Sequence, residues 1–400
     1  MQDVYVYEGV RTPFGKIGGA LAGVRPDDLA ERVVTAAVER SPGLDPGAVD
    51  EVIFGNANGA GEENRNVGRM AWLLAGLPVS VPASTVNRLC GSSLDAAIAA
   101  SRQIALGEAD LMLVGGVESM SRAPWVLPKT ERPFPMKDLQ LANTALGWRL
   151  VNPRMPLEWT VSLGEATEQL RERHGISRER QDAFAARSHR LAGQAWDDGH
   201  YDALVVTVPE VDLSRDETIR EGVTEETLSE LRTVFRRDDG TVTAGNASPM
   251  NDGASAAWIG SERAAELLGH GPMARIAGRG ASANEPQFFG AAPVEAADQA
   301  LRRAGIGWDD VGAVELNEAF AAQALVCLDA WGVDHEIVNA WGGAIALGHP
   351  LGASGTRVLA TLASRLRASG QRWGVATLCI GVGQGLAVVL ENVAEKPSAP

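Results

Sequence analysis

The chain has 400 residues, 45% hydrophobic and 22% charged, with a formal net charge of −15. This is a soluble globular balance, long enough for two or three packed units, and its acidity argues against a nucleic-acid partner while permitting a small polyanion held by a few arginines. Three cysteines make no disulfide framework and fit a reduced, cytoplasmic setting.

In chain order, Met1-Gln2-Asp3-Val4-Tyr5-Val6 opens into a strand-like run without the basic and apolar regions of a signal peptide. No apolar run is long enough to span a bilayer, so no membrane partner is expected. A helix is predicted over 28–40, apolar at Leu29, Val33, Val34, Ala37 and Val38, then a strand over 51–54 ending in Gly55-Asn56-Ala57. Cys90 precedes a small-residue helix over 94–106 and a buried strand over 111–116. A long stretch rich in Arg, Glu, Pro and Trp follows, and a strand over 255–259 comes after Asn251-Asp252-Gly253. Pro293 then opens a helix ended by Gly305, and a strand over 313–316 ends in Asn317-Glu318-Ala319. A Gly-rich loop carrying His349 leads to a helix over 356–368 and strands over 374–379 and 386–390.

The same order of helix, turn, strand and Asn thus occurs twice, each time followed by a reactive-type residue, a helix and a buried strand. The expected fold is α/β: a duplicated core of two similar halves, layered helices and mixed sheets, carrying an inserted loop domain. The expected boundaries are 1–118 with 248–270 for the N-terminal half, 119–247 for the insertion, 271–393 for the C-terminal half and 394–400 for a flexible tail. Two unrelated α/β domains joined by a linker would read similarly.

Cys90, in Asn87-Arg88-Leu89-Cys90-Gly91-Ser92-Ser93, stands where a helix N-terminus would lower its pKa and favour thiolate. A buried cysteine acting as a small hydrophobe is the alternative. His349 lies among glycines from Gly342 to Gly355, a tight loop whose backbone can approach a ligand; the P-loop lysine is missing, and imidazole there reads as a general base or as a structural histidine. Cys379 begins Cys379-Ile380-Gly381-Val382-Gly383-Gln384-Gly385, where a strand rather than a helix follows, so the dinucleotide reading fails. A cysteine at such a turn can serve as acid or base, with flanking N–H groups as an oxyanion hole. Cys327 falls inside an apolar helix and reads as core, and no cysteine pair has zinc spacing.

Seven stretches together resemble the thiolase family along nearly the whole chain: Val10 to Gly15, Asn87 to Ser92, Gly115 to Ser121, Thr243 to Ser248, Asn317 to Phe320, Gly342 to Gly355 and Cys379 to Gly385. The resemblance implies that Cys90 attacks the 3-keto carbon of a 3-ketoacyl-CoA and carries the acyl group as a thioester. It implies that His349 accepts the Cys90 proton, that Cys379 protonates the departing acetyl-CoA enolate or, in the reverse Claisen condensation, deprotonates acetyl-CoA, and that Asn317 orients a water which, with His349, serves the enolate oxygen. The N–H groups of Cys90 and Gly381 would hold the other oxyanion. Ser248 matches a pantetheine contact, Phe320 an aromatic beside the acyl pocket, Leu163 part of an altered Met-Gly-x-Thr loop, and Arg220 an adenine-packing arginine or a solvated one. No cofactor or metal is implied; coenzyme A is a substrate, the partners are acyl-CoA molecules, and a homodimer or homotetramer is usual.

The chain departs from the family at Ser93, Pro249 and Trp341, and Trp341 is expected to bear on the acyl pocket beside His349. Two stretches, Gly61 to Val67 and Leu146 to Pro153, are more similar to β-ketoadipyl-CoA thiolases. Their substrate ends in a carboxylate, which Arg65, Arg149 or Arg154 would clamp, unless these arginines serve ion pairs or an interface. A general acetoacetyl-CoA or 3-ketoacyl-CoA thiolase, or an inactive acyl-CoA-binding relative, are the other readings.

Overall fold

The computed structural model describes residues 1–145 and 147–393; Leu146 and the tail at 394–400 lie outside the described residues. The first half builds β1 (Tyr5–Arg11), α1 (Pro26–Glu39), β2 (Glu51–Gly55), α2 (Val67–Leu74), β3 (Ala83–Val86), α3 (Ser92–Leu106) and β4 (Leu111–Ser119). From Ser119 the chain leaves the sheet, forms α4 (Leu163–His174) and α5 (Arg178–Asp197), and returns as β5 (Asn251–Gly260). The second half builds β6 (Ala274–Ala283), α6 (Ala292–Ala304), β7 (Val311–Leu316), α7 (Ala321–Trp331), α8 (Leu351–Ser369), β8 (Trp373–Ile380) and β9 (Gln384–Asn392).

The strands run in the order β7-β8-β9-β6-β1-β5-β4-β2-β3. In the first half β2 pairs parallel with β4, β4 antiparallel with β5, and β5 antiparallel with β1. The second half repeats this, with β7 parallel to β8, β8 antiparallel to β9, and β9 antiparallel to β6. An antiparallel contact of β1 with β6, Val6 opposite Ala274, joins the halves. The registers superimpose as well. Gly55 faces Gly116 and Glu118 faces Gly253, as Leu316 faces Thr377 and Cys379 faces Gly385. Glu118 and Cys379 therefore occupy the same place in the two halves.

Period-two alternation sends the two faces of each strand to different layers. Ile53, Met112, Val114, Ala257 and Ile259 share one cluster with α3 and α8 and with Leu378, Ile380, Leu386 and Val388 from the other half. Val52, Phe54, Leu113 and Trp258 face outward onto α1 and α2. Leu316, Val375 and Val389 face outward onto α6 and α7. The helices α3 and α8 thus form a central layer between the two halves. They approach closely because α8 starts with small residues: a Cβ on Gly355 would lie 2.1 Å from Leu94 N. Ser93 finds its use here, its Oγ accepting the N–H of Thr356 at 2.9 Å across this contact. The strand β6 is absent from the sequence expectation because Gly278, Gly280, Arg275 and Arg279 break its apolar run.

Candidate active site

The N-terminal ends of α3 and α8 meet at a cavity of about 470 Å³ lined by Cys90, Glu118, Met120, Trp148, Arg149, Leu163 and Gly381, among others. Cys90 lies in the single 3-10 turn Leu89–Gly91 that leads into α3, and Leu89 before it holds φ at 47°. A leucine in the left-handed region costs about 1–2 kcal/mol, a strain stored beside the sulfur. The backbone N–H groups of Gly381 and of Cys90 itself point to that sulfur. Gly381 opens the turn from β8 to β9, in which Val382 and Gly383 take φ of 65° and 75°.

The lowered pKa expected for Cys90 is not what the structure gives. Burial pushes the thiol up to about 11, outweighing the two N–H groups, and the nearby Glu118 pushes the same way. The helix terminus is present, but Cys90 as a residue is only 6% exposed and desolvation of the thiolate dominates. Cys379, fully enclosed at the end of β8, is raised as well, by burial first and then by Cys90 and Cys327. Cys327 sits in α7, its Sγ 3.3 Å from the carbonyl of Gly290.

His349 is buried and pushed down to about 3, by burial first and then by Arg357, so its imidazole is neutral at physiological pH. Its Nδ1 is 2.6 Å from Ser354 Oγ, and that hydroxyl donates to the carbonyl of Pro350 at 2.9 Å. We assign the serine proton to the Pro350 carbonyl, which makes Nδ1–H the donor to Ser354 Oγ and leaves the Nε2 lone pair free. The backbone N–H of His349 donates to Asn251 Oδ1 at 2.9 Å, fixing the loop. Asn317, fully buried after β7, places its Nδ2 3.4 Å from both ring nitrogens. Neutral thiol, neutral imidazole, a second thiol and convergent N–H donors can together perform acyl transfer through cysteine.

Glu118 carries no assigned role in the stretch Gly115 to Ser121, and only the fold shows its place. It lines the cavity and accepts from the N–H groups of Ala57, Asn58 and Gly352 at 2.9, 3.1 and 3.0 Å, and from Asn56 Nδ2 at 3.3 Å. Burial nevertheless pushes it up to about 7. It ties the Asn56 turn to the start of α8.

Among the remaining candidates, Leu163 lines the cavity at the start of α4. Phe320 meets Phe289 edge-on at 6.3 Å and packs in one small cluster with Cys379 and Leu163. Ser248 runs beside it, its N–H donating to the carbonyl of Ala319 at 3.0 Å. Arg220 is exposed and outside the cavity lining; its N–H donates to His189 Nδ1 at 3.2 Å. Of the three arginines only Arg149 lines the cavity; Arg65, at φ 68°, and Arg154 are exposed elsewhere. Trp341 does not line the cavity either: it stacks on His200 at 4.5 Å and packs with Ala192, Tyr201 and Leu204. Backbone direction in that loop, which the sequence does not display, turns the ring toward α5. Among the described residues no group of three or more His, Cys, Asp or Glu is placed to hold a metal, and no helix is long and apolar enough to cross a membrane.

Comparison with known proteins gives a consistent answer. The thiolase N-terminal domain model matches residues 4–263 and the thiolase C-terminal domain model residues 270–392. The chain is 45% identical over 403 residues to a beta-ketoadipyl-CoA thiolase of Acinetobacter baylyi, covering 98% of this chain and 100% of that one. It is 46% identical over 403 residues to the 3-oxoadipyl-CoA/3-oxo-5,6-dehydrosuberyl-CoA thiolase of Escherichia coli, with the same coverage. The crystal structure of human mitochondrial 3-ketoacyl-CoA thiolase superimposes with a TM-score of 0.92 at 36% identity, over 98% of this chain and 99% of that one.

Proposed function

The chain belongs to the thiolase family and is an acyltransferase, and from that premise we propose that it cleaves 3-oxoadipyl-CoA with CoA to succinyl-CoA and acetyl-CoA. Cys90 Sγ attacks C3 as His349 Nε2 takes its proton, and the N–H groups of Cys90 and Gly381 receive the C3 oxyanion. The C2–C3 bond then breaks, its electron pair passes to the acetyl-CoA enolate, and Cys379 protonates C2. Asn317, through a water it orients, and His349 serve the enolate thioester oxygen in that step. CoA finally gives its thiol proton to the Cys379 thiolate and attacks the succinyl-Cys90 thioester, and His349 returns its proton to Cys90 Sγ, releasing succinyl-CoA and restoring both thiols. Because Cys90 and His349 start neutral, charge develops only as the proton moves, inside a site shielded from water. Ser248, Phe320 and Leu163 would contact the pantetheine and acyl portions, and Arg220 the adenine. On the expected division of the chain, the N-terminal half supplies the nucleophile, the C-terminal half the base and acid, and the insertion the substrate contacts. We assign it to the cytoplasm, as a homodimer or homotetramer.

The observation that carries the substrate assignment is Arg149. Among the described residues it is the one cation lining the cavity, and it has no hydrogen-bond or ion-pair partner there. A distal carboxylate would supply one. Losing a charge-assisted contact costs about 1.5–3 kcal/mol, so Arg149→Ala should lower kcat/KM for 3-oxoadipyl-CoA about 10- to 100-fold while leaving acetoacetyl-CoA within about twofold. Steady-state kinetics on the two substrates checks this, and equal losses on both would sink the assignment. The apolar remainder of the lining, Met120, Trp148 and Leu163 among it, favours as second reading a general 3-ketoacyl-CoA thiolase.

A further inference from the structure

Arg357 lies in α8, two turns past His349 along the chain, is 1% exposed, and does not line the cavity. Its Nη2 donates to Asn317 Oδ1 at 2.8 Å. Its Nε and Nη1 have no hydrogen-bond partner among the described residues. The carboxylate oxygen facing Nη1, Glu315 Oε2, stands 3.7 Å away and is likewise without a hydrogen-bond partner. A buried charge met by one direct hydrogen bond stabilises poorly, because desolvation costs more than that bond returns, and an apolar side chain of similar size would pack as well.

Asn317, by contrast, gains a fixed orientation. A guanidinium has donors only, so the atom of Asn317 that faces it has to be the oxygen, and the NH2 has to turn the other way. That way lies His349, where Nδ2 makes a long contact of 3.4 Å to each of the two ring nitrogens. So long and divided a contact holds the NH2 weakly, and an oxygen arriving at the imidazole can compete for it. The wall behind Arg357 is itself anchored: Arg365 Nη1 donates to Glu315 Oε1 at 2.6 Å and to the carbonyl of Val314 at 2.9 Å.

We infer that Arg357 is a positioning residue for the carbon–carbon bond step, holding the Asn317 amide so that its NH2 faces the water which, with His349, serves the enolate thioester oxygen. The inference rests on the reaction proposed above, in which the C2–C3 electron pair moves to the enolate and its charge rests on that oxygen until C2 is protonated. Acyl exchange through Cys90 uses His349 as base and the backbone N–H groups for its oxyanion, but it breaks no carbon–carbon bond and forms no enolate, so it separates the two roles.

The test measures two reactions on the same preparations. One is cleavage of whichever of 3-oxoadipyl-CoA and acetoacetyl-CoA the wild type turns over faster. The other is exchange of labelled CoA into the matching succinyl-CoA or acetyl-CoA. Arg357→Leu should lower kcat for cleavage about 100-fold, the typical cost of losing an oriented donor, with KM and exchange within about threefold. Arg357→Gln, whose amide can still donate to Asn317 Oδ1, should recover at least about tenfold of that loss. Should Arg357→Leu fail to fold, Arg357→Gln in an Asn317→Ala background should have no further effect on cleavage. Cleavage and exchange falling together, or neither falling, would overturn the role. Wild-type preference for acetoacetyl-CoA would overturn the substrate assignment but not the Arg357 inference, and no wild-type cleavage would overturn both.

Discussion

At the scale of the residue, burial decides the protonation of the central pair. Cys90 sits at a helix N-terminus, which alone would favour thiolate, yet enclosure pushes it up to about 11 and pushes His349 down to about 3. Both shifts favour the neutral form, so the resting site holds thiol and imidazole rather than an ion pair. Alkylation of Cys90 by iodoacetamide in ligand-free protein should therefore keep accelerating with pH well past neutrality. A plateau below neutral pH, the signature of a preformed thiolate–imidazolium pair, would contradict this. The identities of Cys90, His349 and Cys379 were legible from motif and context. Their proton states were not, because desolvation depends on what packs around them from other parts of the chain. Arg149 and Trp341 make the same point. Sequence placed three arginines in related segments, and only the fold distinguishes the one at the cavity from Arg65 and Arg154. It also turns Trp341 away toward His200.

At the scale of the element, the site is made by two helix starts brought together. α3 follows Cys90 and α8 follows His349, and the small side chains in the first turns of α8 set how near they come. Gly355 is the tightest point of that crossing, where an added Cβ would meet the Leu94 backbone at 2.1 Å. The neighbour is backbone and cannot swing aside. Gly355→Ala should therefore cost about 1–3 kcal/mol of stability, the usual range for overpacking, and lower kcat more than KM rises. Thermal melts with steady-state kinetics would check it, and an unchanged kcat would show that the crossing does not set the geometry. Strands and helices with strong periodicity, such as α1, β4 and β8, were readable from the sequence. β6 was not, since its glycines and arginines dilute the apolar alternation that its pairing with β9 later explains.

At the scale of the whole molecule, duplication shapes the chemistry. The halves share strand order and register, so equivalent positions can be compared directly. Glu118 and Cys379 are equivalent, and both stand near Cys90; one carries a carboxylate bound by four N–H groups, the other a thiol met by its own backbone N–H. Asn56 and Asn317 are equivalent too: the first bonds Glu118, the second faces His349. The two halves have thus diverged at these equivalent positions, the first tying Glu118 into the backbone around Cys90 and the second placing a thiol and an amide beside Cys90 and His349. The repeat was visible in the sequence as a recurring order of elements. The division of labour was not, because Glu118 acquires its ties only when β2, β4 and α8 are assembled.

If Cys90 takes the acyl group of 3-oxoadipyl-CoA, intact-protein mass spectrometry after mixing with that substrate in the absence of free CoA will find one succinyl group on Cys90, acetyl-CoA formed in equal amount, release as succinyl-CoA when CoA is added, and no adduct on Cys90→Ser. An unmodified protein, or a succinyl group that persists in Cys90→Ser, would contradict it.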